Sequence, residues 1–410
     1  VRAWAGMEAA VGRASEEKAE EKEEPLQRWR RAVRVASAAK YLRRSSASTP
    51  EDSAPGRALR SEDEQSSVAR ALAHALPSLL AASDQQSVSA STPHGTVTAV
   101  QPALFARVRR RFGRSDEQFA NALSTQSGLG RVVETAAAAG KSNAWFLCSA
   151  NAKLLIKALE RGEFLRLARL AGAYTEYVEA RSLTLMPRFY GLYTVRGPGR
   201  EEHFLAVMGN VFAGRLPLVA RFDLKGSSFG RVTPVARRAL AGAVLKDGDL
   251  VEGGGHLRAL DAEQRSSFLS AVAADAAFLA ANRLLDYSLL VGLALAPRHL
   301  SVKPPSSHVP LRLELDPAAL PPALRQPAEP EPPRVFAYVG LVDVTMEWGW
   351  LKAAEELVFR CLGLNASCAN PERYAARFVD FCALLALPPH PRQAAFAAWL
   401  ARARRERRLL

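Results

Sequence analysis

The stretch RFDLKGSSFGR, residues 221–231, places an aspartate and a lysine directly before a Gly/Ser-rich turn. A turn uses glycine and serine for their backbone conformations, but it has no need of Asp223 or Lys225. Arg231 closes the stretch, so Lys225 and Arg231 both stand close to Asp223. Either these charges pair with one another and fix a strand-to-loop turn, or Lys225 and Arg231 face an anionic ligand.

Length and composition favour a large globular protein. The chain has 410 residues, enough for a sizeable core and for two lobes, and 48% of them are hydrophobic. The formal net charge is +14, and residues 1–95, with 14 Lys and Arg against 13 Asp and Glu, carry almost none of it. The positive remainder attracts polyanions: nucleic acid, anionic membrane or phosphorylated substrates.

The cysteines and the hydropathy pattern indicate a cytoplasmic protein. No CxxC pair and no Cys/His cluster with zinc-ligand spacing occurs, so the cysteines are interpreted as reduced thiols. The first residues lack a signal-peptide pattern, and no uncharged apolar run reaches the ~20 residues of a membrane span. A chain of this kind that works at a membrane does so from the surface.

The first part of the chain is predicted to differ from the rest. Residues 1–95 mix charge blocks with Ser/Thr/Pro-rich stretches and are predicted to be a mostly disordered leader. Trp29–Leu42 is interpreted as a targeting segment or as a transient helix in a solvated linker. From Pro102 the pattern predicts two short helices, the second capped by Ser115. The first helix carries a basic face, either solvated or directed at phosphates: Arg107, Arg109, Arg110, Arg111 and Arg114.

The next segment combines features that kinases use. AWFLCS and KLLIKAL predict two strands joined by a turn, with a helix from about Glu160. In kinases a loop covers the nucleotide phosphates, a strand lysine holds the α- and β-phosphates, and a helix acid orients that lysine. The corresponding residues here are Lys157, Glu163 and the loop Gly140, Lys141, Ser142 and Asn143. The alternative is a solvated lysine at a strand end.

Two more acids lie at the ends of apolar strands. Asp286 follows an amphipathic helix and opens DYSLLVGLAL, while Asp343 closes RVFAYVGLVD. Such acids converge on one cleft if the strands are adjacent, and burying them unpaired is costly, so a metal or another cation is expected beside them. The protein-kinase forms HRD and DFG are absent, which excludes an ordinary protein kinase. The Pro-rich residues 297–333 predict a loop or insertion.

The ordered set LMPRFYGLYTV, VMGNVF, FDLKGSSFGR, NRLLDYSLLVG, VGLVDV and NPERYAARFVDF resembles the phosphatidylinositol phosphate kinase family. The resemblance covers roughly residues 100–400. It implies an α+β, two-lobed lipid-kinase fold of antiparallel sheets and packed helices, distantly similar to protein kinases. The implied domain spans residues 96–410, with one lobe at about 100–208, a second at about 211–410, and the Pro-rich insertion at 297–333.

The resemblance also implies an activity and residue roles. Members transfer the γ-phosphate of ATP to a ring hydroxyl of a phosphoinositide on an anionic membrane, which makes ATP, Mg²⁺ and a lipid the expected ligands. A phosphatidylinositol 4-phosphate 5-kinase is the expected type, and a homodimer is an open alternative. The implied catalytic residues are Asp286, Lys157, Asp223 and Lys225. The implied Mg²⁺ ligand is Asp343. The implied nucleotide-binding residues are 140–143, Lys157, Glu163, Met208 and Asn210. The implied lipid-binding residues are Lys225, Arg231 and Lys352.

The segment after Asp343 leaves alternatives open. It has few cations, and its apolar side chains either insert into a bilayer or pack as core: Trp348, Trp350, Leu351, Leu357, Val358 and Phe359. This segment favours a weakly active or inactive scaffold of the same fold that binds phosphoinositide membranes, whereas the intact Lys157, Asp286 and Asp343 favour activity. A nucleic-acid-binding protein is not expected, because no recognisable binding module is present. The tail RARRERRLL predicts a solvated or membrane-facing helix end.

Overall fold

The computed structural model describes most of the chain beyond residue 61. The described residues are 62–82, 86–124, 129–132, 145–197, 199, 201–213, 216–238, 242–253, 262–302, 309–315, 333–361, 363–387 and 389–407. Two predicted features, the Trp29–Leu42 helix and the loop at 140–143, lie outside these residues.

Ten helices lie within the described residues. They are α1 (Glu62–Ala81), α2 (Pro102–Arg111), α3 (Asp116–Ala122), α4 (Arg161–Glu179), α5 (Val235–Arg238), α6 (Asp247–Glu252), α7 (Ala262–Ala281), α8 (Trp350–Cys361), α9 (Pro371–Leu385) and α10 (Pro389–Arg407).

Fourteen strands accompany them in the described part of the chain. They are β1 (Ser87–Thr92), β2 (Gly95–Val100), β3 (Leu129–Val132), β4 (Phe146–Ser149), β5 (Leu154–Leu159), β6 (Phe189–Arg196), β7 (Glu202–Gly209), β8 (Leu218–Leu224), β9 (Val244–Lys246), β10 (Leu284–Leu285), β11 (Ser288–Ala296), β12 (Leu311–Leu315), β13 (Arg334–Val342) and β14 (Met346–Glu347).

The strands form two main sheets and a short ribbon. The first sheet has seven strands in the order β1-β2-β6-β7-β5-β4-β3, and the second has five in the order β12-β13-β11-β8-β9. Neighbouring strands run antiparallel, except that β9 runs parallel to β8. The ribbon pairs β10 with β14. The predicted antiparallel sheets and packed helices are thereby confirmed.

Local sequence explains where several helices begin. Ser115 accepts a hydrogen bond from the Gln118 amide, and Gln118 in turn accepts one from the Ser115 amide, so the predicted cap of α3 is confirmed. Asn370 caps α9 through the Arg373 amide, with Pro371 at the first helical position. Because proline lacks an amide proton, it loses no helical hydrogen bond there.

The core is continuous between the two sheets. One cluster of buried apolar side chains joins α1, both main sheets and helices α7 and α9. Phe268, Val272 and Leu279, the predicted buried stripe of α7, are each exposed by less than 1%. The helical spacing of these residues predicted that face correctly, since residues three or four apart lie on one side of a helix.

The described part of the predicted leader is folded, which corrects the prediction for residues 62–95. Helix α1 buries Leu72, Leu76 and Leu79, and strands β1 and β2 extend the first sheet. The small polar residues of the strand SVSAST have weak strand propensity, which is why its composition favours a linker. Its backbone is held by the sheet, so composition alone did not reveal the pairing.

Two further predictions are corrected by tertiary contacts. The Pro-rich insertion contains β12, which pairs with β13 along Leu311–Leu315. The basic face of α2 is largely intramolecular: Arg109 is 1% exposed, binds Asp116 and donates to the Tyr190 carbonyl, while Arg111 donates to the Val178 carbonyl. These two arginines are committed to carbonyl and carboxylate groups of the protein itself, which leaves them little freedom to bind phosphates.

Candidate active site

Strands β8 and β13 of the second sheet end where strand β11 between them begins. A predicted site residue lies beside each of these three strand ends. Ser288 of β11 pairs with Val342 of β13, and Leu289 pairs with Leu224 of β8. Asp286 closely precedes β11, Asp343 follows β13, and Lys225 follows β8. The expected convergence of the two acids at adjacent strand ends is therefore confirmed by the register.

Both acids sit in a backbone conformation that side chains rarely adopt. Asp286 has φ of 61° and Asp343 has φ of 58°. This left-handed region costs a non-glycine residue on the order of 1 kcal/mol or more, so it persists only where the surroundings fix it. The β10–β14 ribbon supplies that support, because it pairs Leu285 with Met346 close beside the two acids.

Lys225 contacts Asp286 directly. Its Nζ lies 2.7 Å from Asp286 Oδ1 and donates a hydrogen bond to the Asp286 carbonyl oxygen at 2.6 Å. The lysine side chain is 12% exposed and the aspartate 27%. A cation held on both the side chain and the backbone of Asp286 fixes the orientation of this carboxylate at the strand edge.

Lys157 connects the first sheet to this edge. It lies on β5, and its Nζ is 3.2 Å from Asp343 Oδ1. Burial lowers the pKa of Lys157, but Asp343 and Glu163 outweigh that effect and hold it above its ordinary value. The ammonium group therefore stays charged next to the acid that follows β13.

Glu163 acts on Lys157 through its charge, but its hydrogen bonds go to other groups. Among the described residues, Lys157 pairs with Asp343 rather than with Glu163. Glu163 accepts hydrogen bonds from the Thr345 hydroxyl at 3.0 Å and from the Glu160 amide at 3.2 Å. It therefore caps its own helix and ties α4 to the segment that follows Asp343. Arg166 reinforces this link by donating from Nε to the Thr345 carbonyl at 2.7 Å.

Met208 and Asn210 lie where β7 leaves the first sheet. Met208 pairs with Leu155 and is 7% exposed. The Asn210 side chain binds backbone on both of its polar atoms: Nδ2 donates to the Ala152 carbonyl, and Oδ1 accepts from the Phe212 amide. Asn210 thus shapes this connection between the sheets through the main chain.

Arg231 is an internal ion-pair residue, which corrects its predicted place among the lipid-binding residues. It is 11% exposed, and its guanidinium contacts Asp223 Oδ1 at 2.6 Å and Asp247 Oδ2 at 2.7 Å. Burial raises the pKa of Asp223, but Arg231 and Lys225 outweigh it and hold that pKa below its ordinary value. The alternative of a charge pair that fixes the turn therefore describes Arg231 and Asp223.

Sequence reasoning missed Asp247, which has no exposed surface. It begins α6, and a single acid in KDGDLVE carries no signal that distinguishes it from a solvated helix start. Its partners come from a loop about twenty residues earlier in the chain: the amides of Lys225 and Gly226. Only the folded chain brings these groups together.

The serines of the opening stretch face the C-terminal part of the chain. Ser227 donates to the Asn365 carbonyl at 2.6 Å, and Ser228 donates to Glu406 Oε2 at 2.5 Å. Glu406 lies on α10, is 3% exposed and also accepts from the Asn365 amide. The prediction of a solvated or membrane-facing tail is thus wrong for Glu406.

The segment after Asp343 forms α8 and divides its apolar side chains between core and surface. Trp348 and Phe359 pack against the core, whereas Trp350 is 70% and Leu357 61% exposed. Leu351 is partly buried, and Val358 lies outside the described side chains. Lys352, predicted to bind lipid, pairs with Glu355 at 2.8 Å. The expectation of packing as core is met for Trp348 and Phe359, and insertion into a bilayer stays a prediction for the exposed side chains.

The described residues hold no group of three His, Cys, Asp or Glu side chains that would bind a metal on its own. The Asp343 carboxylate is 57% exposed and is the candidate ligand. Mg²⁺ is commonly held by one or two carboxylates together with phosphate oxygens and water, so one accessible carboxylate fits an ion that arrives with a nucleotide.

The helices described also include none long and apolar enough to cross a membrane.

Comparisons with known proteins find phosphatidylinositol phosphate kinases. The family model for phosphatidylinositol-4-phosphate 5-kinase matches residues 130–311. Phosphatidylinositol 5-phosphate 4-kinase type-2 alpha of Gallus gallus is 28% identical over 315 residues, 69% of this chain and 76% of that kinase. Phosphatidylinositol 4-phosphate 5-kinase 4 of Arabidopsis thaliana is 36% identical over 157 residues, 38% of this chain and 20% of that kinase.

The matching model and these relatives are all named as phosphatidylinositol phosphate kinases. The resemblance carried by the motifs is thereby confirmed. A further relative, phosphatidylinositol 4-phosphate 5-kinase of Plasmodium falciparum, is 26% identical over 308 residues, 68% of this chain but 18% of that protein. Residues 130–311, which the family model covers, include Lys157, Lys225 and Asp286 of this phosphatidylinositol phosphate kinase homologue.

Proposed function

We propose that this chain is an ATP-dependent kinase that phosphorylates an inositol-ring hydroxyl of a membrane phosphoinositide. One observation carries the proposal: Lys225 contacts Asp286, and Lys157 contacts Asp343, at a single edge of the second sheet. Phosphoryl transfer needs a base for the hydroxyl and cations for the phosphates more than it needs covalent chemistry. Asp286 is the candidate base and the two lysines are the candidate cations. The family model that matches this chain describes a lipid kinase.

Asp286 is proposed to orient the attacking hydroxyl and to accept its proton. Its carboxylate is partly exposed, so a ring hydroxyl can approach it, while Lys225 holds it in place. As the hydroxyl oxygen bonds to the γ-phosphorus, the bond from that phosphorus to the β-phosphate oxygen breaks and ADP leaves; the Lys225 ammonium beside Asp286 is proposed to stabilise the negative charge of the transferred group. Lys225 is thus assigned to the reacting phosphate, and Asp286 to the reacting proton.

Lys157 and the segment between the sheets are proposed to hold ATP. Lys157 would exchange its contact with Asp343 for the α- and β-phosphates, and the loop at residues 140–143 would cover them. Met208 and Asn210 mark the backbone proposed to meet adenine. Asp343 would hold Mg²⁺, which when bound neutralises charge on the β- and γ-phosphates.

The proposed domain organisation follows from the two sheets. The seven-stranded sheet with α4 is assigned to the first lobe, at about residues 100–208, and the five-stranded sheet with α7 and α9 to the second, at about 211–410. The nucleotide would lie between them, where Lys157 meets Asp343. Helix α1 and strand β1 extend the first lobe toward the N-terminus, so its proposed boundary moves back to about residue 62.

Helix α8 is proposed to place the cytoplasmic enzyme on an anionic membrane. Trp350 and Leu357 are exposed on this amphipathic helix, and apolar residues of that kind bury in the headgroup region of a bilayer. Burial lowers the pKa of Lys352, but Glu355 and, more weakly, Asp286 outweigh that effect and hold it above its ordinary value; Lys352 is proposed to lie beside the lipid headgroup. Cations on the same surface would add ~1 kcal/mol each to membrane binding.

The position of the transferred phosphate is proposed from the sequence alone. A phosphatidylinositol 4-phosphate 5-kinase is the expected type, and relatives named for that reaction and for the 5-phosphate 4-kinase reaction both match this chain. Both reactions give a product with phosphates at positions 4 and 5, so the experiment must offer the two monophosphates separately.

The test is transfer of radiolabel from ATP to phosphoinositides in liposomes. Wild type is compared with Asp343→Ala and with Glu314→Gln, an exposed acid on β12 that pairs with Arg334. Label in lipid that is lost in D343A and kept in E314Q supports the proposal, and the labelled lipid identifies the substrate. Folded wild type that binds the liposomes but labels no lipid would instead favour the scaffold.

A further inference from the structure

Asp247 binds the backbone of the loop that carries Lys225. It begins α6, has no exposed surface, and its Oδ1 accepts the amide protons of Lys225 at 2.9 Å and Gly226 at 2.7 Å. Two adjacent amides that share one carboxylate oxygen form a tight anion-binding turn. The backbone from which the Lys225 side chain extends is thereby fixed by the carboxylate of Asp247, which lies far from it in sequence.

The second oxygen of Asp247 ties this turn to the rest of the motif. Oδ2 accepts from Arg231 Nε at 2.7 Å, and Arg231 Nη2 reaches Asp223 Oδ1 at 2.6 Å. Arg231 also donates to the Asp223 carbonyl oxygen at 2.5 Å. Asp223 is the last charged residue of β8 before Lys225, so both sides of the lysine are fixed by one buried arginine.

The loop has little room to compensate if this support is lost. Gly226 has φ of +69°, and a Cβ added there would lie 2.9 Å from Phe381 Cβ and 3.1 Å from the Arg377 carbonyl oxygen of α9. The chain turns at the glycine because Asp247 draws its amide toward α6 while α9 blocks the opposite side. This turn sets the direction in which the Lys225 side chain leaves the backbone.

We infer that Asp247 is a positioning residue for phosphoryl transfer, acting through Lys225 on Asp286. The inference rests on the proposed kinase function and adds a residue that touches neither nucleotide nor lipid. Asp247 holds the amides of Lys225 and Gly226, Lys225 Nζ holds Asp286 Oδ1 at 2.7 Å, and Asp286 meets the hydroxyl. If the backbone of Lys225 shifts, its ammonium group moves away from the Asp286 carboxylate. Small displacements of reacting groups reduce rates strongly.

Asp249 provides a matched control for a purely structural role. It lies on the same helix, is 8% exposed, and accepts hydrogen bonds from the Thr233 amide and hydroxyl and from the Lys246 amide. It also pairs with Arg238 at 2.9 Å. It is as strongly bonded as Asp247 but supports the loop at 233 rather than Lys225.

The experiment compares Asp247→Asn, Asp249→Asn, Lys225→Met and the double variant Lys225→Met with Asp247→Asn. We expect D247N to lower kcat for lipid phosphorylation about tenfold or more, with the KM for ATP changed less than about twofold. D249N is expected to lower the melting temperature about as much as D247N does, but to leave kcat unchanged. In the K225M background, D247N is expected to have almost no further effect on kcat, because the group it positions is gone.

Two kinetic results would overturn the inference. An equal loss of kcat in D247N and D249N would show that any damage to α6 is enough. An undiminished effect of D247N in the K225M background would show that Asp247 acts by another route. Wild type that transfers no phosphate to any lipid would instead contradict the proposed function.

Amide hydrogen exchange tests the contact without relying on activity. In Asp247→Ala the amides of Lys225 and Gly226 lose their acceptor and should exchange at least about tenfold faster, while Asp249→Ala should leave them protected. Unchanged protection in D247A would contradict the positioning role even in an active enzyme.

Discussion

Lys157 Nζ lies 3.2 Å from Asp343 Oδ1, and this contact links a strand of the seven-stranded sheet to the acid that follows β13 of the other sheet. Glu163, the acid expected to pair with Lys157, instead accepts the Thr345 hydroxyl. The segment after Asp343 is thus held by α4 on one side, while Asp343 itself meets the lysine. A bound nucleotide would have to enter between the two partners.

Replacing Lys157 should therefore impair the reaction more than the fold. We expect Lys157→Met to lower kcat/KM for ATP about a hundredfold, since a phosphate-binding cation is lost. Asp343 is more than half exposed, so the lost ion pair itself should cost no more than about 1 kcal/mol of stability. Kinetics on liposomes and thermal unfolding measure the two effects. Lys153→Met, at an exposed position just before β5, is the control and should match wild type.

Gly226 should tolerate no side chain. In Gly226→Ala the left-handed backbone adds strain of about 1 kcal/mol, and the Cβ meets side-chain and backbone atoms of α9 at 2.9 and 3.1 Å. Gly230→Ala is a matched control, because Gly230 has φ of +67° but nothing within 4 Å of the added Cβ. Urea unfolding should give a loss at least about 1 kcal/mol greater for G226A than for G230A. Equal losses would mean that α9 gives way.

Acid should weaken the protein through Asp223. Arg231 and Lys225 hold the pKa of this carboxyl below its ordinary value of 3.8, so its contribution to stability is complete above that value. The contribution is lost as pH falls from 3.8 through the folded-state pKa, because protonation then breaks the pairing. The melting-temperature difference between wild type and Asp223→Asn should be constant near neutral pH and shrink on acidification. A difference that stays constant on acidification would contradict the pairing of Asp223 with Arg231.

The thiols should divide into one accessible and three protected groups. Cys361 is exposed, whereas Cys148, Cys368 and Cys382 are buried. Burial raises the pKa of the Cys148 and Cys382 thiols, and burial with Glu355 raises the pKa of Cys368 to about 12. A thiol reagent at about pH 8 should therefore modify one cysteine quickly, and Cys361→Ser should remove that reaction. Two fast thiols in the native protein would contradict the burial of Cys148, Cys368 or Cys382.

The exposed side of α8 should contribute to membrane binding. Trp350→Ala and Leu357→Ala together should weaken binding to anionic liposomes at least about tenfold, because two large apolar side chains no longer leave water. Leu165→Ala removes a leucine that is 39% exposed on α4 and serves as the control. Sedimentation with liposomes measures the change. Full binding by the double variant would assign membrane contact to another surface.

Much of the fold was predictable because its elements carry strong local patterns. The period of Phe268, Val272 and Leu279 indicated α7, and Ser115 indicated the start of α3. The apolar runs at β11 and β13 are bounded by Asp286 and Asp343, so the sequence pattern alone placed both acids at strand ends. The errors fell where the pattern was weak, as at β1, whose alternating serines and small residues resemble a linker.

The partners within the site were not predictable in the same way. Glu163, close by on the next helix, was the expected partner of Lys157, and the structure pairs the lysine with Asp343, far along the chain. For Arg231 the sequence left open an internal ion pair or contact with an anionic ligand. The structure pairs it with Asp247, which no local feature of the sequence marked.

The sequence by itself determined the resemblance to one kinase family, most of the strands and helices, and the residues that carry the proposed chemistry, because motifs and periodic patterns are local in the chain. The tertiary structure decided which charges meet. Lys225 with Asp286, Lys157 with Asp343, and Arg231 between Asp223 and Asp247 are contacts across sheets and loops, and the pairing of buried charges depends on distances that only the packed fold sets.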